Sequence, residues 1–165
     1  MSKLLHGFRQ KHPLVNAAFR GMLAFTASEV IGSLGDRCGV SLRHGKQQDP
    51  RYKKFVLGHP YLATIHSSLV APIGEEIVFR HWPSCVLTAH GKNGAQWLAG
   101  AVASLAFASG HCGPYGVPVP HFISGMSLWD IQRKDGLKAA ITAHAVRNTL
   151  GLAFRMVRWH RSKEL

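Results

Sequence analysis

Two adjacent carboxylates, Glu75 and Glu76, stand inside the apolar stretch APIGEEIVFR, and Arg80 follows Glu76 by four residues. An ionised side chain in a dry core or a bilayer costs several kcal/mol unless it is paired, so these letters restrict the folds that can hold them. On a helix, Glu76 and Arg80 share a face and can pair, while Glu75 points about 100° away. The spacing separates a charge-balanced pair from a carboxylate free to act. Two further pairs at the same spacing, one with a single polar member and one with two, lie in apolar helical sequence. His111 follows Phe107 at the end of AQWLAGAVASLAFASGH, and His144 and Asn148 lie within the helix expected over Leu137–Val157. Singly, each has an ordinary structural explanation as a satisfied core residue or a solvated helix end.

The composition narrows the class. Of 165 residues, 46% are hydrophobic and 17% charged, which excludes a disordered chain, collagen and a coiled coil, and the length fits one domain. Lys and Arg number 20 against 8 Asp and Glu, a formal net charge of +12. Nucleic-acid binding would use such a charge, but the basic cluster over 36–54 has only Tyr52 and Phe55 beside it. Anionic lipid headgroups account for the charge more economically, at about 1 kcal/mol per basic residue near the surface. Cys38, Cys85 and Cys112 form no CxxC pair and imply neither a disulfide framework nor a cysteine zinc site.

Along the chain, Leu14–Leu34 reads as a helix whose Arg20 and Glu29 make it a poor solitary membrane span, and no cleaved signal is expected. Residues 36–54 read as a basic loop. Ala95–His111, without one Lys, Arg, Asp or Glu, is the best membrane-helix candidate. Val119–Leu128 reads as a short apolar piece and 129–138 as a polar turn. The chain divides into a basic N-terminal segment with one doubtful apolar helix and a basic loop (1–59), a helical core (60–157) and a basic tail (158–165).

In combination the three pairs say more. EExxxR, FxxxH and HxxxN, in that order on apolar helices, with the settings APIGEEIVFR, ASLAFASGH and AITAHAVRN, resemble the CAAX-protease and bacteriocin-processing (CPBP, or Abi) family of intramembrane proteases. The resemblance runs from about Pro60 to Val157. It implies an all-α fold, a compact multi-helix integral membrane bundle with the active-site cavity between helices. It also implies an endopeptidase acting on prenylated CAAX proteins or bacteriocin leader peptides. Carried over motif by motif, Glu75 is the general base acting with His111 on a water. His144 and Asn148 stabilise the oxyanion, and Glu76 and Arg80 orient and balance charge.

No cofactor is needed for that chemistry, yet Glu75, His111 and His144 would also supply the three N/O ligands of a catalytic zinc. The letters leave both mechanisms open, with the resemblance favouring the metal-free one. Two departures from the family stand out: few helices precede the first motif, and Arg147 stands where members more often carry an apolar residue. A catalytically idle membrane protein of the same fold, acting in bacteriocin immunity or as a partner protein, is the alternative.

Overall fold

Prolines set several helix starts. Pro13, Pro50 and Pro60 each occupy a first helical position, where a missing N–H costs nothing and the fixed φ favours the turn. The computed structural model describes residues 12–39, 49–88, 93–111 and 119–161, and every element among them is helical. Helix α1 is Pro13–Arg37 and α2 is Pro50–Gly58; α3 runs through 60–88 without a break. Helices α4 (Asn93–His111), α5 (Val119–Asp135) and α6 (Leu137–Arg161) follow.

Helix α6 is the hub, packed against α1, α5 and the first half of α3, while α4 lies along α5 and touches the second half of α3. Small residues let these axes approach. Ala17 of α1 sits with Leu128 and Ile131 of α5 and Ala139, Ala140 and Ala143 of α6 in one buried cluster. A Cβ placed on Gly21 would run into the Ala143 carbonyl. Gly21→Ala therefore forces α1 off α6, and we expect a loss of about 1–3 kcal/mol, read as a lower melting temperature in detergent. Gly100 and Gly125 make the same allowance for Trp129 and Ser104 between α4 and α5.

Several expectations change. The polar turn expected at 129–138 is helix as far as Asp135, with Trp129 fully buried; the chain turns at Gly136, whose φ of +84° suits glycine. The end of the expected basic loop is the start of α2, because Asp49 accepts a hydrogen bond from the Arg51 N–H at 2.8 Å and caps it. Helix α6 continues through Arg161 into the expected tail. By length and composition the one described helix able to cross a membrane is α1, not α4. The alanines, glycines and serines that suit α4 to close packing also lower its apolarity. Arg20, which made α1 look unfit, is held by Asp130 at 2.7 Å and Asp135 at 3.2 Å on α5. The outer faces are nonetheless apolar: Phe19, Leu23 and Val30 on α1, Leu62, Leu69 and Val78 on α3, and Leu98, Val102 and Leu105 on α4 are all exposed. The N-terminal basic segment up to residue 11, residues 40–48, Cys112 and the Gly/Pro-rich stretch to residue 118, and the last four residues lie outside the described residues.

Candidate active site

Helix α3 is not a regular α-helix. His66–Val70 and Ile77–His81 are wound as π-turns, and each is followed, after one residue, by a proline, Pro72 and Pro83. The prolines explain the winding. A proline inside a helix has no N–H to donate and crowds the carbonyl four residues back, and a π-turn opens the ladder at that point. The six residues between the π-turns, Ala71–Glu76, carry both glutamates.

The first π-turn leaves a backbone acceptor without a partner in the ladder. The Ala71 N–H donates to the His66 carbonyl, five residues back, and Pro72 has nothing to donate, so neither serves the Ser67 carbonyl. Asn148 on α6 supplies the donor: its Nδ2 lies 3.0 Å from the Ser67 oxygen. One turn of α3 is thereby fastened to α6 beside the glutamates. Thr149 adds a second tie, with its Oγ1 2.8 Å from Ser68 Oγ. Replacing Asn148 with Leu strands the Ser67 carbonyl, and we expect a cost of about 1–3 kcal/mol in a thermal melt.

Glu76, Arg80 and His144 are fully buried. Arg80 Nη1 lies 3.2 Å from Glu76 Oε1, the pair expected at that spacing. The same oxygen is 2.7 Å from His144 Nδ1. A carboxylate oxygen accepts, so the imidazole donates from Nδ1 and turns its Nε2 outward. The guanidinium also lies over a ring face, with Arg80 Cζ 4.1 Å from the Phe107 centroid. Phe107 contacts Phe79, His111 and His144 edgewise or tilted, with centroids 4.4–5.7 Å apart. The Phe of FxxxH is thus the packing centre against which α3, α4 and α6 set their polar groups.

Glu75 is the partly exposed member. His111 Nε2 is 3.6 Å from its Oε1 and His144 Nε2 is 3.5 Å from its Oε2. His111 Nδ1 is committed to the Phe107 carbonyl at 2.8 Å, again as donor. Both histidines therefore spend their Nδ1 protons on fixed acceptors and aim Nε2 at one carboxylate. Neutral imidazoles so held present lone pairs, and together with Glu75 they make a cluster of acceptors converging on one point. Such a cluster takes a donor, either a water or an added proton. Second-sphere anchoring of this kind also suits a metal-binding histidine. Among the described residues, however, no group of three or more His, Cys, Asp or Glu side chains stands in a metal-holding arrangement.

Glu75, His111 and Asn148 open onto a cavity of about 220 Å³. Glu76, Arg80 and His144 lie behind it. The cavity also takes in residues that the motifs did not point to: Glu29 of α1, Tyr52 of α2, His121 of α5 and Arg155 of α6. His121 stacks on His111, ring centroids 5.2 Å apart. No spacing announced His121. Arg155 was legible in principle, because 144, 148, 151 and 155 form one stripe of a helix.

No curated protein and no solved structure matches the chain. A family model described as "Type II CAAX prenyl endopeptidase Rce1-like" matches residues 57–150, which include all three motifs. With more than half of its length matched, and with the three motifs in order, the chain belongs to the Rce1-like type II CAAX prenyl endopeptidases of the CPBP family.

Proposed function

We propose that this protein is an intramembrane endopeptidase that hydrolyses a peptide bond of a prenylated CAAX-type protein or a leader-type peptide, with a water activated by Glu75 and His111. The observation that carries the reading is the convergence of Glu75 with the Nε2 atoms of His111 and His144 at 3.5–3.6 Å, each Nδ1 already spoken for. A water bound there donates one hydrogen to Glu75 and the other to His111. Glu75 takes its proton as the oxygen attacks the carbonyl carbon, and returns that proton to the amine nitrogen as the C–N bond breaks.

Charge counting favours this traffic. Glu75, Glu76 and Arg80 together carry a net charge of −1, so the cluster gains neutrality by accepting the proton. His144 spends its Nδ1 proton on Glu76 and is a neutral imidazole with a lone pair at Nε2; it donates to the developing oxyanion once it has taken a second proton from solvent, separate from the one that Glu75 takes from the water. Asn148 has two Nδ2 protons, one used on Ser67 and one left for the oxyanion. One such donor commonly contributes about 10²–10³ in rate.

Zinc is the second reading: Glu75, His111 and His144 are the residues that would hold it and their anchored Nδ1 atoms suit it, although among the described residues no group of three stands in a metal-holding arrangement. The apolar outer faces and the span-length α1 support residence in a membrane, with basic residues toward anionic headgroups. The test is cleavage of farnesylated CAAX peptides and leader peptides by detergent-purified protein beside Glu75→Ala, with and without chelator. Cleavage that survives chelator and is lost in Glu75→Ala is the expected result. Loss on chelation turns the reading to zinc. A folded wild type that cleaves nothing turns it to an idle binding protein.

A further inference from the structure

His111 is the last residue of α4. Its Nδ1–H bond to the Phe107 carbonyl fixes one atom of the ring but not the ring plane, because χ2 of a histidine is a broad torsion. The Nε2 side does not fix the plane either, since Glu75 Oε1 lies 3.6 Å away, outside hydrogen-bond range. Two other rings touch the imidazole. Phe107 lies against it with centroids 4.4 Å apart and a tilt of 44°, and His121 of α5 stacks on it at 5.2 Å and 20°. Phe107 belongs to FxxxH, whereas His121 belongs to none of the three motifs and comes from another helix.

The turn that carries His121 is stiff. Pro120, just before it, is buried and has a fixed φ. Ser124 Oγ, one turn on, donates to the Pro120 carbonyl at 2.9 Å and lies 3.2 Å from Ser28 Oγ of α1. Gly125 lets the same stretch close on α4, where an added Cβ would lie 2.8 Å from the Ser104 Cβ. The start of α5 is thus braced against α1 and α4, and it holds His121 at the cavity wall with Glu75 and His111.

We propose that His121 is a positioning residue for His111: its stacked ring holds the His111 plane so that Nε2 stays aimed at the water shared with Glu75. This rests on the protease reading above and adds to the site a residue that the motifs do not contain. The role needs a flat face. Two near-parallel rings in contact limit the rocking of each about its Cβ–Cγ bond, and an amide or methyl group in the same place does not. The consequence is large for so small a contact, because a reacting group displaced by about 1 Å can cost about 10² in rate.

The experiment measures kcat and KM for a farnesylated CAAX-type peptide with detergent-purified wild type, His121→Ala, His121→Asn and His121→Phe, each beside a thermal melt. The alanine and asparagine variants lower kcat about 10- to 100-fold at near-constant KM and melting temperature, and the phenylalanine variant recovers most of the loss. Recovery by phenylalanine separates orientation from hydrogen bonding, which asparagine partly keeps and phenylalanine abolishes. If asparagine recovers turnover and phenylalanine does not, His121 acts through a ring nitrogen and the stacking role falls. A rise in KM at constant kcat makes His121 a substrate contact and overturns the role. Wild-type kcat in His121→Ala overturns it outright. A loss of kcat that tracks the loss of melting temperature across the three variants makes the contact structural and overturns it as well. If the alanine variant does not fold, the phenylalanine variant against the asparagine variant decides. All these outcomes leave the protease reading standing, whereas no cleavage by wild type removes that reading and this role with it.

Discussion

Glu75→Gln is expected to abolish peptide hydrolysis, with kcat lowered by about 10²–10⁴ or more, while the protein keeps its melting temperature. The substitution keeps the shape of the side chain and changes only what it can do with a proton. A glutamine cannot take a proton from water, and its amide N–H groups donate to the Nε2 lone pairs of His111 and His144 at the point where the attacking water binds. Stability should barely move, because the Glu75 side chain is 24% exposed and makes its contacts to histidines at 3.5–3.6 Å. Removing it also relieves the excess negative charge of the cluster. The measurement is turnover of a cleaved peptide beside a thermal melt of the same preparation. Retained turnover would remove Glu75 from the chemistry, and a collapsed melt would make it a structural residue.

Arg80→Met is expected to do the reverse, by destabilising the fold before it touches the chemistry directly. The Arg80 and Glu76 side chains are 0% exposed. Breaking a buried pair by removing one partner costs about 3–5 kcal/mol, because the other charge is left without compensation. Here Glu76 keeps only His144. Total stabilities of domains are about 5–15 kcal/mol, so the single variant should melt far below wild type or fail to accumulate. The double variant Glu76→Gln/Arg80→Met removes both charges and should recover most of the melting temperature, since a buried pair is no more stable than neutral groups of similar volume. It should not recover turnover, because His144 then lacks the carboxylate that fixes its tautomer and supports the imidazolium. A single variant as stable as wild type would mean that the Phe107 face and the ionic contact contribute little.

The two expectations differ because adjacent letters lie in different surroundings. Helical spacing alone put Glu76 and Arg80 on one face and Glu75 on another, and that much follows from 3.6 residues per turn. The order of the three motifs was equally legible, since each is a pattern of four or five letters within one helix. The family match over 57–150 agrees with that reading.

Local spacing did not disclose the partners from other helices. Glu76 binds His144 across 68 positions of sequence, and Asn148 serves the Ser67 carbonyl across 81. The need for such a donor follows from Pro72, but the identity of the donor does not. The polar turn expected at 129–138 failed for a related reason: Asp130, Arg133, Lys134 and Asp135 looked like loop residues, yet Asp130 and Asp135 meet Arg20 of α1. Paired, they can stay in a helix whose other face buries Trp129. The doubt about α1 as a solitary span rested on Arg20 and Glu29, and the first of these has its partners on α5.

The sequence by itself determined the helices that carry the motifs, the side chains that share a face, and the polar residues of the three motifs whose burial would be costly without partners, because helix periodicity is local. Only the tertiary structure decided which polar groups meet, which way each imidazole turns, and that Arg147 and Arg155 border the cavity beside Glu75. Those outcomes depend on how closely α1, α3 and α6 approach and on where a glycine or a π-turn gives way, and packing distances of that kind are not written in the spacing of any one helix.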